Sequence, residues 1–260
     1  MKAKEIFSYL LDRSPTVWEQ TCDGLVAGDP EKEVKKLGTC FKLTAELIDR
    51  AWKEQIDMII SHEPTFEKGE LRETCDEIYL QKWALLDKSG IVVYRFHDHA
   101  HLSQPDYIHA GFLRVLDLDI AQQYPPDSLG VSRYDLEQPI TVGQLAKRIE
   151  QKMGAEFVRV VGNADMQVHT MVLGLGGIGM KQVRFLVEEK CDVLITGEVG
   201  EVYSLEYVRD ACYFGKQKAV ILFGHFSAEY EGMRLLAQQL NDAIAPTVYL
   251  HSGEVYTRAR

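Results

Sequence analysis

The chain has 260 residues, of which 46% are hydrophobic and 26% are charged, a composition typical of a globular protein with one large domain or two small ones. Its formal net charge of -10 argues against a nucleic-acid partner, because such binding depends on clusters of Lys and Arg. No apolar stretch approaches the roughly 18 residues that a membrane-spanning helix needs, so no membrane partner is expected.

Apolar runs alternate with amphipathic segments along the first half of the chain. Helices are predicted in three places, at residues 3–12, 44–55 and 75–90. Strands are predicted at residues 36–43, 56–61 and 91–96. The stretch 123–141, "QYPPDSLGVSRYDLEQPIT", contains prolines, a glycine and few apolar residues, so we interpret it as the connection between two halves.

The same alternation restarts after this connection. Helices are predicted at residues 141–154, 180–190 and 227–240, with a further helix between 197 and 218. Strands are predicted at residues 157–162, 170–176, 192–197, 218–225 and 245–252. Because strands that alternate with helices are the signature of βαβ units, the sequence predicts an α/β fold with mainly parallel, mixed sheets.

The two halves carry a matching pattern, which indicates an internal duplication. "IDMIISHEP" and "CDVLITGEV" each contain an aspartate, an apolar run, a Ser or Thr, one variable residue and a Glu. We predict one domain, residues 1–260, built from duplicated βα units in two related halves, about 1–125 and about 135–260. The duplication places four strand ends in related positions: Glu63, His97, Glu198 and His225. Such carboxyl ends of parallel strands line ligand crevices.

Side chains able to bind a metal ion follow these strands: His62, Glu63, His97, Asp98, His99, His101, His225 and Glu229. In "HDHAH", an extended backbone would place His97, His99 and His101 on the same side. His225 and Glu229 are four residues apart at a strand-to-helix junction, where both can point toward one spot.

Imidazole and carboxylate ligands without thiolates suit Zn, Fe, Mn or Ni, and the ligands are numerous enough for two ions. Two ions bridged by a carboxylate would lower the pKa of a bound water and activate it near neutral pH. The alternative is that these side chains are solvated turn residues without a metal. Their occurrence in three separate clusters at equivalent strand ends favours the metal-binding interpretation.

A second motif, "GLGGIG" at residues 174–179, satisfies GxGxxG between a predicted strand and a predicted helix. Glu198 follows about 20 residues later, as in a dinucleotide fingerprint, so an oxidoreductase with a nicotinamide or flavin cofactor is a competing hypothesis. The structural alternative is a turn whose glycines allow close packing of helix and strand. Anion binding at the helix N-terminus is a further possibility.

The five cysteines, Cys22, Cys40, Cys75, Cys191 and Cys212, are dispersed and form no CxxC pair. This pattern excludes a disulfide framework and a zinc ribbon and indicates a cytoplasmic protein. The N-terminal segment interleaves charged and apolar residues at helical spacing, so it is not a signal peptide. Cys22 and Cys191 could act as nucleophiles, but burial in the core is the favoured role for cysteine.

Six blocks of sequence, in this order, carry a family resemblance: "TCDGLVAGDP", "DMIISHEPTF", "VVYRFHDHAH", "LGLGGIG", "CDVLITGEV" and "GHFSAE". They resemble the NGG-one-interacting-factor-three-like family, whose members are often named GTP cyclohydrolase 1 type 2. The resemblance covers nearly the whole chain. It implies a duplicated α/β fold, a hexameric ring and two related halves around a dinuclear metal site.

The resemblance also implies a ligand set, from which this sequence departs at two positions. The family has two histidines before the proline, but here His62 is followed by Glu63. The family's aspartate position falls on His101, whereas His225 and Glu229 match the last motif. Because the set still contains three histidines and two carboxylates, we predict a working site with these five metal ligands and with Glu229 as the bridging ligand.

We therefore predict a metal-dependent hydrolase that uses two divalent transition-metal ions (Zn, Fe, Mn or Ni) on a small nucleotide-like substrate. His97 and Glu229 are the predicted catalytic residues, and His97 would carry protons. The side chains of Asp98, His99, Thr196 and Glu198 would contact the substrate or orient the ligands. The alternative is a non-catalytic protein for metal storage, metal delivery or regulation by binding. By resemblance, the protein is expected to be a homohexamer.

Overall fold

Two β-sheets form the centres of two units of the chain. The computed structural model describes residues 1–14, 21–67, 72, 75–124, 131–188, 191–257 and 259. Unit 1 comprises Met1–Gly111 and Gly232–Gly253, and unit 2 comprises Phe112–Glu231 and Glu254–Arg260. The two units are defined by how compactly their residues pack and not by similarity between their sequences. They therefore do not test the internal duplication, which stays a prediction.

The first half of the chain contains five helices and five strands among the described residues. In chain order they are α1 (Ala3–Leu11), β1 (Gly24–Ala27), β2 (Leu37–Lys42), α2 (Ala45–Lys53), β3 (Met58–Glu63), α3 (Glu77–Ser89), β4 (Val92–Arg95), α4 (Asp98–Leu102), α5 (Tyr107–Leu116) and β5 (Ile120–Tyr124). Helices α1 to α3 and strands β2 to β4 agree with the sequence prediction. Strands β1 and β5 and helices α4 and α5 were not predicted.

The second half continues with further strands and helices. In chain order they are β6 (Ser132–Thr141), α6 (Val142–Met153), β7 (Arg159–Val161), β8 (Gln167–Ile178), α7 (Met180–Glu188), β9 (Val193–Val199), a π-helical turn (Glu201–Leu205), α8 (Glu206–Tyr213), β10 (Ala219–Leu222), α9 (His225–Ala243) and β11 (Thr247–Tyr249). The last two positions of the helix predicted at 180–190 lie outside the described residues.

The predicted connection at residues 123–141 is corrected by strand β6, which occupies its second part. β6 pairs antiparallel with β5 on one side and with β8 on the other. Its residues are mostly half-buried or exposed and include Pro139, so the strand lacks the apolar run that identifies buried strands. Positions 125–130 of the predicted connection lie outside the described residues.

Both sheets are mixed, with a parallel core. The sheet of unit 1 has the order β1-β4-β3-β2-β11, and only β1 is antiparallel to its neighbour. The sheet of unit 2 has the order β5-β6-β8-β9-β10-β7, in which β8, β9 and β10 are parallel. Parallel strands are buried on both faces and therefore need continuous apolar runs, as β10 shows.

Equivalent hydrogen bonds organise the two parallel cores. Before β3, Asp57 Oδ2 accepts from the backbone N–H groups of Lys35 and Lys36 at 2.8 and 3.1 Å. Before β9, Asp192 Oδ2 accepts from two consecutive backbone N–H groups, those of residues 169 and 170, at 2.7 and 2.8 Å. Each aspartate thus fixes the start of a strand next to its parallel neighbour.

Among the described residues, no helix combines the length and the apolarity that crossing a lipid bilayer requires.

Candidate metal-binding groups

Three histidines of unit 1 bring their rings together near the carboxyl ends of β3 and β4. His62 lies in β3, His97 follows β4, and His101 lies in α4. One ligand nitrogen from each lies within 4.8 Å of the other two. The His62 and His97 rings are stacked with centroids 4.5 Å apart, and the His101 centroid lies 5.1 Å from each. The three imidazoles form a group that could hold a metal ion.

The backbone fixes the orientation of His62. Its fully buried ring donates a hydrogen bond from Nδ1 to the carbonyl oxygen of Phe96 over 3.1 Å. Because a carbonyl only accepts hydrogen bonds, Nδ1 carries the proton and Nε2 carries the lone pair. Metal-binding histidines usually donate their other ring N–H in this way. Nε2 of His62 is therefore prepared as a ligand atom.

The histidine-rich segment forms the short helix α4, which corrects the prediction of an extended backbone. Asp23 accepts hydrogen bonds from the backbone N–H groups of His97, Asp98 and His99 at 2.6, 3.2 and 2.8 Å, so its carboxylate caps the helix N-terminus. Residues four apart share one helix face, and His97 and His101 therefore converge. His99 instead turns to Asp23, with its Nδ1 2.7 Å from Oδ2.

Carboxylates surround His97. Its Nδ1 lies 2.9 Å from Asp98 Oδ1, and its Nε2 lies 3.5 Å from Glu63 Oε1. Burial lowers the pKa of His97, but hydrogen bonds with Asp98, Cys22 and Glu63 outweigh burial and raise the pKa to about 12. Burial raises the pKa of Asp98, but hydrogen bonds from His97 and Cys22 hold that pKa well below its usual range. These surroundings stabilise a cation, whether a proton or a metal ion.

A largely buried carboxylate orients His101. Asp106 Oδ2 lies 3.3 Å from Nδ1 of His101 and 3.6 Å from Nδ1 of His109, which is buried. Its Oδ1 accepts from the backbone N–H groups of Ile108 and His109 in α5. Burial raises the pKa of Asp106, but the charges of His109 and His101 outweigh burial and lower it. A carboxylate at Nδ1 leaves Nε2 of His101 as the ligand atom.

Unit 2 carries its own imidazole and carboxylates beside β9 and β10. His225 has Nδ1 3.0 Å from Glu198 Oε1 and Nε2 3.2 Å from Glu229 Oε2. Glu229 is only 2% exposed, whereas the side chain of Glu198 is 60% exposed. Buried Thr196 donates from Oγ1 to the carbonyls of Gly176 and Glu198. Buried carboxylates are paired or bind metals, so His225 and Glu229 are candidate ligands.

The glycine-rich motif brings the backbone close to this group. Gly176 has a φ of +88°, and a Cβ there would overlap Glu229 Oε1 and lie 3.0 Å from His225 Nε2. A Cβ on Gly177 would lie 3.2 Å from Glu198 Oε1. Most of the motif lies within strand β8, and α7 begins after it at Met180. The glycines therefore have a steric role at the His225 group that requires no dinucleotide.

A cavity of about 470 Å³ lies beside Glu198 in unit 2. Its lining includes the aromatic side chains of Phe157, Phe223 and Tyr256. Its charged side chains include Arg159, which pairs with Glu201 across 2.8 Å. Small-molecule sites combine an apolar lining with a few polar groups in volumes of this size. The cavity can therefore receive a small molecule next to the His225 group.

The C-terminal segment of unit 2 shapes the same wall. Glu254 lines the cavity, and its Oε1 accepts hydrogen bonds from the backbone N–H of Ser227, at 3.1 Å, and from the Ser227 hydroxyl. A carboxylate near the N-terminus of α9 is stabilised by the helix dipole. This contact fixes the first turn of the helix that carries His225 and Glu229.

The cysteines differ in exposure, and one of them departs from the prediction. Cys22 is exposed, which corrects the favoured core role for this residue, whereas Cys40 and Cys191 are buried. Burial raises the pKa of the Cys40 thiol to about 12, so Cys40 is unreactive near neutral pH. Cys22 lies beside His97 and Asp98, and one ligand atom from each of the three residues lies within 4.8 Å of the other two.

The predicted site residues thus fall into two sets, one in each unit. Unit 1 brings together His62, Glu63, His97, Asp98, His99 and His101, and unit 2 brings together Thr196, Glu198, His225 and Glu229. Sequence reasoning missed Asp23, Asp106 and His109. Asp106 carries a signal in hindsight, because an Asp before a helix is a common N-cap. The imidazole and carboxylate groups in both sets fit a divalent transition metal.

Comparison with known proteins gives one family over almost the whole chain. The family model described as Duf34/NIF3 (NGG1p interacting factor 3) matches residues 1–253. A "GTP cyclohydrolase 1 type 2 homolog" of Clostridium acetobutylicum is 26% identical over 252 residues, which cover 94% of this chain and 91% of that protein. "NIF3-like protein 1" of Drosophila melanogaster is 22% identical over 253 residues, which cover 93% and 84% of the two chains.

Solved structures share the fold. The structure described as "protein ybgI, unknown function" superposes with a TM-score of 0.82 at 21% identity, covering 98% of this chain and 100% of that chain. Its similarity extends over both mixed α/β units.

Proposed function

Because the chain belongs to the Duf34/NIF3 (NGG1p interacting factor 3) family, we propose that it is a metal-dependent hydrolase acting on a small nucleotide-like substrate. The observation that carries this proposal is the convergence of His62, His97 and His101, whose ligand nitrogens lie within 4.8 Å of one another. His62 has its tautomer set by a backbone carbonyl, which is the preparation that metal-binding histidines show.

We propose two divalent transition-metal ions per chain. The ligands for one ion are His62, Glu63 and His101, and His225 and Glu229 are ligands for the other. Imidazole and carboxylate donors suit Zn, Fe, Mn or Ni. When bound, such an ion polarises a substrate oxygen and lowers the pKa of a coordinated water.

The chain's own side chains would supply proton transfer. His97 is the proposed proton carrier, because it lies between Glu63 and Asp98 and is 27% exposed in its side chain. A divalent cation bound at Glu63 would lower the pKa of His97 from its high value in the metal-free chain and allow proton exchange. Asp98 would orient its ring, and His99 would stabilise α4 through its contact with Asp23. In unit 2, Glu229 is the second proposed catalytic residue.

The cavity beside Glu198 is the proposed substrate site. Its aromatic walls, from Phe157 and Tyr256, can stack against a planar base, and such contacts are tolerant of the base's identity. Thr196 supports Gly176 and Glu198 through hydrogen bonds and would hold the inner edge of the site. The names of the bacterial relatives motivate the choice of a nucleotide-like substrate.

We also propose an internal duplication, supported by the matching hydrogen bonds of Asp57 and Asp192 in the two sheets. A homohexamer in the cytoplasm completes the proposal. Four apolar side chains that are exposed in the single chain support self-association, because exposed apolar surface often marks a protein–protein interface. They are Val202, Tyr203, Tyr213 and Phe214.

Elemental analysis of tag-free protein tests the metal part of the proposal. We expect close to two transition-metal ions per chain, fewer in His62→Ala and in Glu229→Ala, and an unchanged content in His169→Ala, whose histidine is exposed and lies outside both groups. Absence of stoichiometric metal from the unsubstituted protein would contradict the proposal.

Turnover separates the hydrolase from the non-catalytic alternative. The same preparations are incubated with GTP and other nucleotides, and the products are followed by chromatography. We expect hydrolysis that is abolished by a chelator and by His62→Ala but retained in His169→Ala. Metal without any chelator-sensitive turnover would favour a role in metal storage, delivery or regulation.

A further inference from the structure

We propose that Cys22, His97 and Asp98 form a further binding site, next to the proposed hydrolase centre, for a thiophilic divalent cation such as Zn²⁺. One ligand atom from each side chain, a sulfur, a nitrogen and an oxygen, lies within 4.8 Å of the other two. Cys22 and Asp98 belong to none of the ligand sets proposed above, and the thiol gives this group a different preference among metals.

Hydrogen bonds place Cys22 in this position. Asp98 Oδ2 accepts from the backbone N–H of Cys22 at 2.9 Å and from the hydroxyl of Thr21 at 3.0 Å. Asp23, the next residue, binds three backbone N–H groups around α4. Strand β1 then begins at Gly24, which pairs with Arg95 of β4. The residues on both sides of Cys22, Thr21 and Asp23, are thus hydrogen-bonded to the start of α4 and keep the thiol beside that helix.

The burial of the three side chains differs in a way that suits an accessible metal site. Asp98 is buried, His97 is half-buried and Cys22 is exposed. A cation can thus approach from solvent on the side of Cys22. Zinc sites with three protein ligands commonly leave the fourth position to water or substrate.

The chemistry of the group selects the cation. A thiolate with an imidazole and a carboxylate suits Zn²⁺ and Co²⁺, whereas Mg²⁺ and Ca²⁺ prefer oxygen ligands. Binding releases the thiol proton to solvent, because the metal coordinates the thiolate. The surrounding Asp98 and Glu63 carboxylates favour positive charge here. A solvated thiol hydrogen-bonded to Asp23, 3.8 Å from its Oδ1, is the competing interpretation.

Occupation of this site would change the role of His97. A ring nitrogen that binds a metal ion cannot also exchange protons, so the bound cation would inhibit the proposed hydrolase. This consequence rests on the proposed function, whereas binding of the cation does not.

Cobalt binding tests the site directly. Tag-free protein is stripped of metal with a chelator and titrated with Co²⁺, and the near-ultraviolet absorption of a thiolate–Co²⁺ bond is followed. We expect this absorption in the unsubstituted protein and in Cys75→Ser, a matched control at a partly exposed cysteine outside the group. It should be lost in Cys22→Ser, with affinity at this site at least about tenfold lower. Its absence from the unsubstituted protein, or its persistence in Cys22→Ser, would overturn the proposal.

Alkylation gives a second readout on the unsubstituted chain. Iodoacetamide labelling is measured for each cysteine by peptide mass spectrometry with and without Zn²⁺. We expect Zn²⁺ to slow labelling of Cys22 at least about tenfold while labelling of Cys75 is unchanged. Equal labelling of Cys22 in both conditions would overturn the site. This experiment measures cation binding at Cys22 and not turnover. A negative result here would therefore leave the proposed hydrolase untouched, and a lack of turnover would leave this site untouched.

Discussion

Nδ1 of His225 lies 3.0 Å from Oε1 of Glu198, where two adjacent parallel strands of unit 2 end. In unit 1, Nε2 of His97 lies 3.5 Å from Oε1 of Glu63 at the corresponding ends of β3 and β4. A Glu–His contact thus occurs in both sheets. The ring nitrogens differ, and Glu198 is far more exposed than Glu63, so solvent screens the unit 2 contact more strongly.

Replacement of Gly176 tests the close approach of the backbone to Glu229. In Gly176→Ala, the added Cβ would overlap Glu229 Oε1 at a φ of +88°, so we expect the free energy of unfolding to fall by about 2 to 4 kcal/mol. Metal binding by His225 and Glu229 should be lost with it. Chemical denaturation and metal titration measure the two effects.

Gly215→Ala is the matched control for backbone strain. Gly215 has a φ of +87°, and a Cβ added there meets no atom within 4 Å. The Gly215→Ala variant should lose only about 1 kcal/mol of unfolding free energy, the cost of a left-handed backbone at a non-glycine residue. It should bind metal as the unsubstituted protein does. If the two variants were equally stable, the steric role of Gly176 would be refuted.

Asp23 should support metal binding indirectly, by stabilising the helix that carries His101. Asp23→Ala removes the acceptor for three backbone N–H groups and for the buried ring of His99, so we expect a loss of about 3 kcal/mol in unfolding free energy. Because α4 would lose its N-terminal cap, metal binding at His101 should weaken as well. Asp29→Ala, at an exposed acceptor in a turn, should stay within about 0.5 kcal/mol; similar losses in both would argue against the capping role.

Asp106→Asn should weaken metal binding while leaving α5 in place. The retained amide oxygen can still accept from the N–H groups of Ile108 and His109, but the NH₂ group would face Nδ1 of His101. His101 would then hold its proton on Nε2 and lose its ligand lone pair, which should cost about 10- to 100-fold in affinity. Competition with a metal-binding dye measures the affinity, and thermal melting checks the fold.

Asp76→Asn provides the comparison for Asp106. Asp76 caps α3 by accepting from the backbone N–H of Tyr79, and it is remote in sequence from the histidines. Its substitution should leave the metal affinity unchanged. A loss of affinity in Asp76→Asn that equals the loss in Asp106→Asn would mean that general destabilisation, and not the His101 tautomer, is responsible.

Lys82 should make the stability depend on pH in the alkaline range. Burial lowers the pKa of Lys82 to about 8, and its Nζ donates to the carbonyls of Leu43 and Thr65. Between this pKa and the unfolded value near 10.4, the unfolded chain binds more protons, so the contribution of Lys82 to stability rises with pH across this window.

The difference between the unsubstituted protein and Lys82→Met isolates that contribution. Stability relative to Lys82→Met should increase from pH 8 to about pH 10.5, by on the order of 3 kcal/mol, as measured by urea denaturation. The buried Cys40 thiol opposes this trend in both proteins and largely cancels in the difference. For Lys147→Met, at an exposed position, the difference in unfolding free energy from the unsubstituted protein should not change with pH. If the difference for Lys82→Met did not change with pH either, the argument would be refuted.

Candidate site residues were predictable where a strand ends, because an apolar run followed by His or Glu is a local pattern. The positions of His62, Glu63 and Glu198 follow from such runs. His225 was expected at the end of a strand, but that strand ends at Leu222 and His225 begins α9. The backbone between His97 and His101 was not predictable from its own residues. A two-residue period suggested an extended chain, but Asp23, 74 to 76 positions earlier in the sequence, supplies the cap that stabilises a helix there.

The hairpin of β5 and β6 was missed for a different reason. Both strands are largely half-buried or exposed, so their side chains lack the apolar continuity that marked the central strands. The usual burial of cysteine predicts a core position for Cys22, yet the contacts of Thr21 and Asp23 hold it at the surface. For Cys22 the deciding partner is Asp98, 76 positions later in the sequence, which the residues around Cys22 do not reveal.

Strand β11 pairs with β2, and this pairing determines when the sheet of unit 1 can be completed during synthesis. Buried Thr39 of β2 also donates to the carbonyl of Met233, 194 positions later in the sequence. A ribosome releases N-terminal residues before C-terminal ones, so β2 is made before β11 and lacks this partner until residues 247–249 have emerged. Until then, the edge of β2 is open to pairing with other chains, and a truncation before β11 would make that exposure permanent.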